Sequence, residues 1–249
     1  MTGVEGAITW DQLPTALGLA EREVVSFVGG GGKTTALFAL AASRPGRRIV
    51  TTTTKMGADR TGRLDVLIDP TDVELDGAVG AEGAVIVWAG SDGQRAFGVE
   101  PETIDRWAAG YDTIAVEADG SRRRPFKAPR EYEPVVPTST TTLVGCVGMA
   151  AIGAPIEVGC HRPDRVAALV GAHETDPLTP ERLVRVLLDD DGSRKGCPAG
   201  ARYAVLVNRV TAADAATVDE VRRAIAATDP TVRVIAVADL EPAQLPDAV

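Results

Sequence analysis

Short apolar runs alternate with longer stretches whose apolar positions recur every three or four residues. Seven runs read as strands: residues 24–28, 48–52, 84–89, 113–117, 141–147, 203–207 and 232–237. Several are continuous Val, Ile and Ala, the pattern of a strand buried on both faces. Helical spacing follows the glycine-rich stretch at residues 34–42. A second helix is announced by Thr179-Pro180-Glu181, an N-cap residue, a first-turn proline and an early acid ahead of Leu183, Val186 and Leu187. Val218, Val221 and Ile225 mark one face of a helix from about 213 to 227. Residues 10–19 read as a short leading helix with Pro14 in its first turn. Strands alternating with helices predict an α/β fold around a mostly parallel sheet. No repeat or low-complexity tract interrupts the pattern, so residues 1–249 read as a single domain. The turn-rich stretch 189–201 reads as a mobile loop.

Composition narrows the classes. The chain has 249 residues, 45% hydrophobic and 24% charged, with a formal charge of −9, as expected of a globular protein rather than a disordered one. An acidic chain predicts no nucleic-acid partner, because phosphate contacts need a basic surface. The first residues have no basic and apolar leader pattern, and no apolar stretch reaches about 18 residues, which predicts no membrane partner. Three cysteines without a C-x-x-C pair fit a reducing, cytoplasmic setting.

The strongest chemistry is Val24-Val-Ser-Phe-Val-Gly-Gly-Gly-Gly-Lys-Thr-Thr35, an apolar strand entering four glycines, then a lysine, two threonines and a helix. Glycines let backbone N–H groups converge on an anion, and the helix adds its free N–H groups and its dipole. In this reading the amides of Gly29, Gly30, Gly31 and Gly32 hold phosphates, with Lys33 on the outer ones. The Thr34 hydroxyl ligates Mg²⁺, and Thr35 lies beside it on the first turn. Phe27 stands where the full phosphate-loop pattern has its first glycine, so the loop is expected to be short. The expected fold class becomes a three-layer P-loop NTPase-like domain, with Mg²⁺ and ATP or GTP as cofactors.

Other segments offer partners. The run Thr113-Ile-Ala-Val-Glu-Ala-Asp-Gly120 reads as a buried strand ending in acids. Asp119 is the candidate for Mg²⁺ and Glu117 for orienting water, and the two share parity on an extended strand. Ser121-Arg-Arg-Arg-Pro-Phe-Lys127 then brings four cations to the carboxyl end of the sheet. Arg122, Arg123, Arg124 and Lys127 are candidates for a γ-phosphate or a second anion. Thr53 and Lys55, in Thr51-Thr-Thr-Thr-Lys-Met56, are candidates beside a γ-phosphate, although four threonines equally suit a strand. His161 and Arg162 are candidate ligand contacts, whereas His173 reads as a surface residue. Asn208 closes a strand as a base-reading asparagine does, but Thr211 stands where a guanine-reading acid belongs, so the base stays open.

Taken in order, these segments resemble the YqeC family. The resemblance is carried by the Gly-Gly-Gly-Gly-Lys-Thr-Thr loop, Thr51-Thr-Thr-Thr-Lys-Met and Glu117-Ala-Asp-Gly-Ser-Arg. Lys127-Ala-Pro, Glu133-Pro-Val-Val-Pro137, His161-Arg-Pro, Gly196-Cys-Pro-Ala-Gly-Ala-Arg202 and Asn208-Arg-Val continue it. It spans about residues 13–210. It implies a nucleotide-binding accessory protein for selenium-dependent molybdenum hydroxylases, acting in selenium cofactor biosynthesis, with such a hydroxylase or its cofactor as partner. An NTPase, a kinase or nucleotidyl-type transferase on a small cofactor precursor, and a non-hydrolysing nucleotide-gated chaperone are all compatible with these residues.

Overall fold

The computed structural model describes residues 6–239. After a 3-10 turn at Trp10–Gln12 come α1 (Leu13–Leu17), β1 (Glu23–Gly29), α2 (Lys33–Ser43), β2 (Arg48–Thr52), β3 (Met56–Gly57) and β4 (Asp65–Ile68). There follow α3 (Asp72–Val79), β5 (Ala84–Trp88), β6 (Gly90–Ser91), β7 (Arg95–Phe97), α4 (Pro101–Trp107), β8 (Thr113–Glu117) and β9 (Phe126–Lys127). The second half holds β10 (Thr142–Gly148), α5 (Ile156–Gly159), β11 (Cys160–His161), α6 (Pro163–Val170), α7 (Pro180–Leu188), β12 (Arg202–Val210), α8 (Ala215–Thr228) and β13 (Arg233–Ala238).

Eight strands form one sheet in the order β13-β12-β10-β1-β8-β2-β5-β4. Every pairing in it is parallel. The chain is thus an α/β protein of the P-loop NTPase-like, three-layer kind. All seven strands expected from apolar runs are present. β2 and β8 have the expected bounds, and β12 runs on to Val210.

Strand parity divides the core. Val25 and Phe27 of β1 turn to the face covered by α1 and α2, with Leu37, Leu40, Val144 and Leu206. On the opposite face Val28, Leu143 and Val205 pack under α6, α7 and α8, while Val24, Ile114 and Val116 pack under α3 and α4. Alternate residues of one strand therefore feed two apolar layers, which is why the runs lack polar alternation.

Expectation and structure differ in the 189–201 stretch. Instead of moving freely it is pinned: the Ser193 N–H donates to Val186 O at 2.9 Å, and Lys195 Nζ reaches the Arg130 and Glu131 carbonyls, each at 2.8 Å. Arg194 pairs with Asp229 at 2.7 Å. Among the described residues no helix is long and apolar enough to cross a membrane.

Candidate phosphate and charge site

The glycine loop sits at the carboxyl end of β1, between the neighbouring strands β8 and β10. β1 ends at Gly29 and α2 begins at Lys33, so only three residues bridge them, the short loop implied by Phe27. Gly31 and Gly32 have φ of +79° and +109°. A Cβ on Gly31 would come within 2.3 Å of the Gly148 nitrogen, and one on Gly32 within 2.6 Å of Asn208 Nδ2. Glycine is therefore required twice over, by conformation and by space.

The loop amides divide into two sets. The Gly29 N–H donates to both oxygens of Asp119, at 3.1 and 3.0 Å, and the Gly30 N–H donates to Cys146 O at 3.0 Å. Those two amides are engaged internally, which corrects the expectation that all four glycines face an anion. Among the described residues no acceptor takes the N–H groups of Gly31, Gly32, Lys33, Thr34 or Thr35. No side chain caps α2, and its first turn carries no acid. The amides left without an acceptor thus lie two residues further along the chain, at the helix start, where orphan N–H groups and the dipole act together.

Lys33 is 4% exposed, and its Nζ lies 3.1 Å from Asp119 Oδ1 and 3.8 Å from Glu117 Oε1. The same ammonium donates to Gly29 O at 2.5 Å. Asp119 Oδ2 also takes Lys127 Nζ at 3.1 Å, and Lys127 continues to Glu133 Oε2 at 2.6 Å and Gly120 O at 2.9 Å. Glu133 in turn receives both terminal nitrogens of Arg162, at 2.5 and 2.9 Å. Lys33, Asp119, Lys127, Glu133 and Arg162 form one chain of alternating charge, buried at its Lys33, Asp119 and Lys127 end and half-buried at Glu133 and Arg162. Such a chain holds only while each member keeps its partners, because a buried charge left alone is costly.

These contacts revise several expected roles. The Thr34 hydroxyl donates to Glu117 Oε2 at 3.1 Å. Asp119 is occupied by Gly29 and two lysines, so the hydroxyl–carboxylate pair suited to a cation is Thr34 with Glu117. Lys127 is 1% exposed and wholly engaged, so it organises the site instead of meeting a ligand. Thr53 donates its hydroxyl to Val135 O at 2.7 Å, a structural bond. Lys55 lies 5.2 Å from the Phe97 ring centroid, on the small β3–β7–β6 sheet. Arg122, Arg123 and Arg124 are exposed, and Arg122 and Arg123 have φ of +50° and +63°. Arg124 donates to Val158 O at 2.5 Å. Asn208 is buried against Gly32, and its Oδ1 accepts from the Arg209 N–H at 2.8 Å.

Charge and burial tune the titrating groups. Burial opposes the Lys33 charge, but Asp119 and Glu117 outweigh it and hold its pKa above the lysine norm. Burial raises the pKa of Glu117 despite Lys33 and Thr34 beside it. Burial would also raise Glu133, yet its hydrogen bonds from Arg162 and Lys127 bring it down to about 2. His161 joins the site because β11 pairs with β9, setting it beside Lys127. Its pKa falls to about 4, through burial first and then Arg162, Lys127 and Arg122, so the ring is neutral near pH 7.

Sequence reasoning gave no role to Glu133 or Arg60. Glu133 lies in a proline-rich segment without periodicity, and only the fold brings it between Lys127 and Arg162. Arg60 favours ionised Glu117 from across the sheet end. A lone arginine in a turn carries no sequence signal.

The family model described as "YqeC protein" matches residues 25–164. An Escherichia coli (strain K12) protein named "Uncharacterized protein YqeC" is 32% identical over 194 residues, covering 75% of each chain. The chain belongs to the YqeC family. The YqeC match runs from β1 to the first residues of α6, so it takes in the glycine loop, both acids of the β8 end, Glu133, His161 and Arg162. Asn208, on β12, lies beyond it.

Proposed function

We propose that the chain binds ATP or GTP with Mg²⁺ at the start of α2, and that it serves maturation of a selenium-dependent molybdenum hydroxylase or its cofactor. The observation that carries nucleotide binding is the run of acceptor-free amides from Gly31 to Thr35, with Lys33 at their foot and no acid in the first turn. Such a cradle suits a phosphate chain. In this reading Lys33 binds phosphate oxygens, and Thr34 and Glu117 hold the cation. Asp119 positions both Lys33 and the loop, through its bonds to the Gly29 N–H. Mg²⁺, when bound, neutralises phosphate charge. The arginine turn at Arg122 and Arg123 offers two exposed guanidiniums for the outer phosphate. The link to hydroxylase maturation is supported by the family resemblance alone.

The test is calorimetric titration of the full chain with MgATP and MgGTP, repeated in excess EDTA and with Thr34→Val. Saturable binding of one nucleotide, weakened by both changes, is expected. No binding of either at millimolar concentration overturns the reading.

A further inference from the structure

We propose a second ligand site, in the surface cleft between the Arg130–Tyr132 segment and the start of α6, for a small flat molecule that carries one oxyanion. The cleft encloses about 200 Å³ and is lined by Arg130, Glu131, Tyr132, Arg162, Asp164 and Arg165. Three guanidiniums thus line it with two carboxylates, and Glu133 behind Arg162 balances the third cation.

The cations are not equivalent. Arg162 is fixed by its fork onto Glu133, and its Nε is buried with no acceptor. That nitrogen is closed to solvent, so Arg162 forms a fixed wall of the cleft and leaves the meeting of a ligand to other residues. Arg165 lines the same wall, is half-buried, and makes no ion pair among the described residues. It can meet a ligand without losing an existing partner.

The flat half of the ligand follows from Tyr132. Its side chain is one of the few large apolar groups left outside, at 67% exposure. Arg130 lies 5.9 Å from its ring centroid and donates to its hydroxyl at 2.7 Å. Lys195 clamps the carbonyls of Arg130 and Glu131, so the segment carrying this ring is held in place. An exposed aromatic face on a held backbone, beside an uncommitted arginine, suits a planar acid, and the volume limits it to a small one. Carboxylate and phosphate share the chemistry that the guanidiniums read.

The site shares Arg162 with the charge chain behind the glycine loop but none of the loop's own residues, so it does not rest on the nucleotide reading. Ligand-observed NMR titrations of the full chain with benzoate, phenyl phosphate and inorganic phosphate test it. Wild type is expected to bind phenyl phosphate or benzoate, the stronger of the two naming the oxyanion, and to bind inorganic phosphate less well. Arg165→Glu and Tyr132→Ala, which break no ion pair, are each expected to weaken binding at least tenfold. Binding unchanged in Arg165→Glu, binding of neither aromatic probe, or inorganic phosphate bound as well as phenyl phosphate overturns the assignment. MgATP titration of the same variants is expected to match wild type, which keeps this result separate from the phosphate-loop test.

Discussion

Lys127 Nζ lies 3.1 Å from one carboxylate oxygen of Asp119, while Lys33 takes the other oxygen at the same distance. Asp119 is therefore the joint between the glycine loop and the Glu133–Arg162 pair. With the Gly29 N–H also on its carboxylate, it anchors the end of β1 as well as two charges.

Removing Lys33 exposes the cost of that arrangement. Lys33→Met leaves Glu117 beside Asp119 with no ammonium between them, and should destabilise the fold by about 3–5 kcal/mol. Asp119 keeps Lys127, so adding Glu117→Gln removes the charge that is left stranded and should recover part of the loss. Urea denaturation of the single and double variants checks this, and additive losses would mean that the two residues are not coupled.

Thr34→Val deletes a hydroxyl at the rim of the site without stranding a charge. Among the described residues its hydroxyl bonds to Glu117 alone, so the loss of stability should stay near 1 kcal/mol. Nucleotide affinity with Mg²⁺ should fall roughly tenfold, a difference of about 1.4 kcal/mol, while affinity in EDTA stays unchanged. Paired calorimetric titrations decide it.

Gly31→Ala should damage the loop far more than a methyl group ordinarily does. The φ of +79° and the 2.3 Å approach to the Gly148 backbone leave nothing flexible to yield. A loss of at least about 2 kcal/mol is expected from strain and overpacking together. Gly153→Ala, also at positive φ but with nothing near its Cβ, should cost less. Thermal unfolding of the two variants separates strain from crowding.

His161 predicts a pH dependence. Its pKa in the fold is about 4, below the ordinary value of 6.5. As pH falls from 6.5 towards 4, the unfolded chain takes up a proton that the folded chain refuses, so stability falls through that window. His161→Gln should flatten this part of the stability profile. Glu133 acts lower: its pKa of about 2 gives stability that is present above its ordinary 4.5 and is lost as pH falls towards 2. The difference between wild type and His161→Gln in urea midpoints from pH 7 to 5 isolates the histidine contribution.

The central strands were readable because β1, β2 and β8 are short, apolar and buried on both faces. β4 was not: it lies at the edge of the sheet, pairs on one side only, and its Ile68 is 55% exposed. α3 does carry a legible sign, the Thr71–Glu74 capping box. In the site, the loop, Lys33, Thr34 and both acids were visible as a local string. Which carboxylate meets Thr34, and that Lys127 turns inward, depend on contacts across strands. Spacing along one strand cannot supply them, because Glu117 and Asp119 share parity there.

The Gly148 N–H donates to Pro125 O at 2.7 Å, and a Cβ on Gly30 would meet Arg124 O at 2.4 Å. The turn carrying Arg122 and Arg123 is thereby stitched to the end of β10 and rests directly on the glycine loop. Backbone contacts thus set where the turn stands against the loop, and the exposed side chains of Arg122 and Arg123 extend from it. A shift of the loop backbone at Gly30 or Gly31 would therefore press on the turn that carries Arg122 and Arg123.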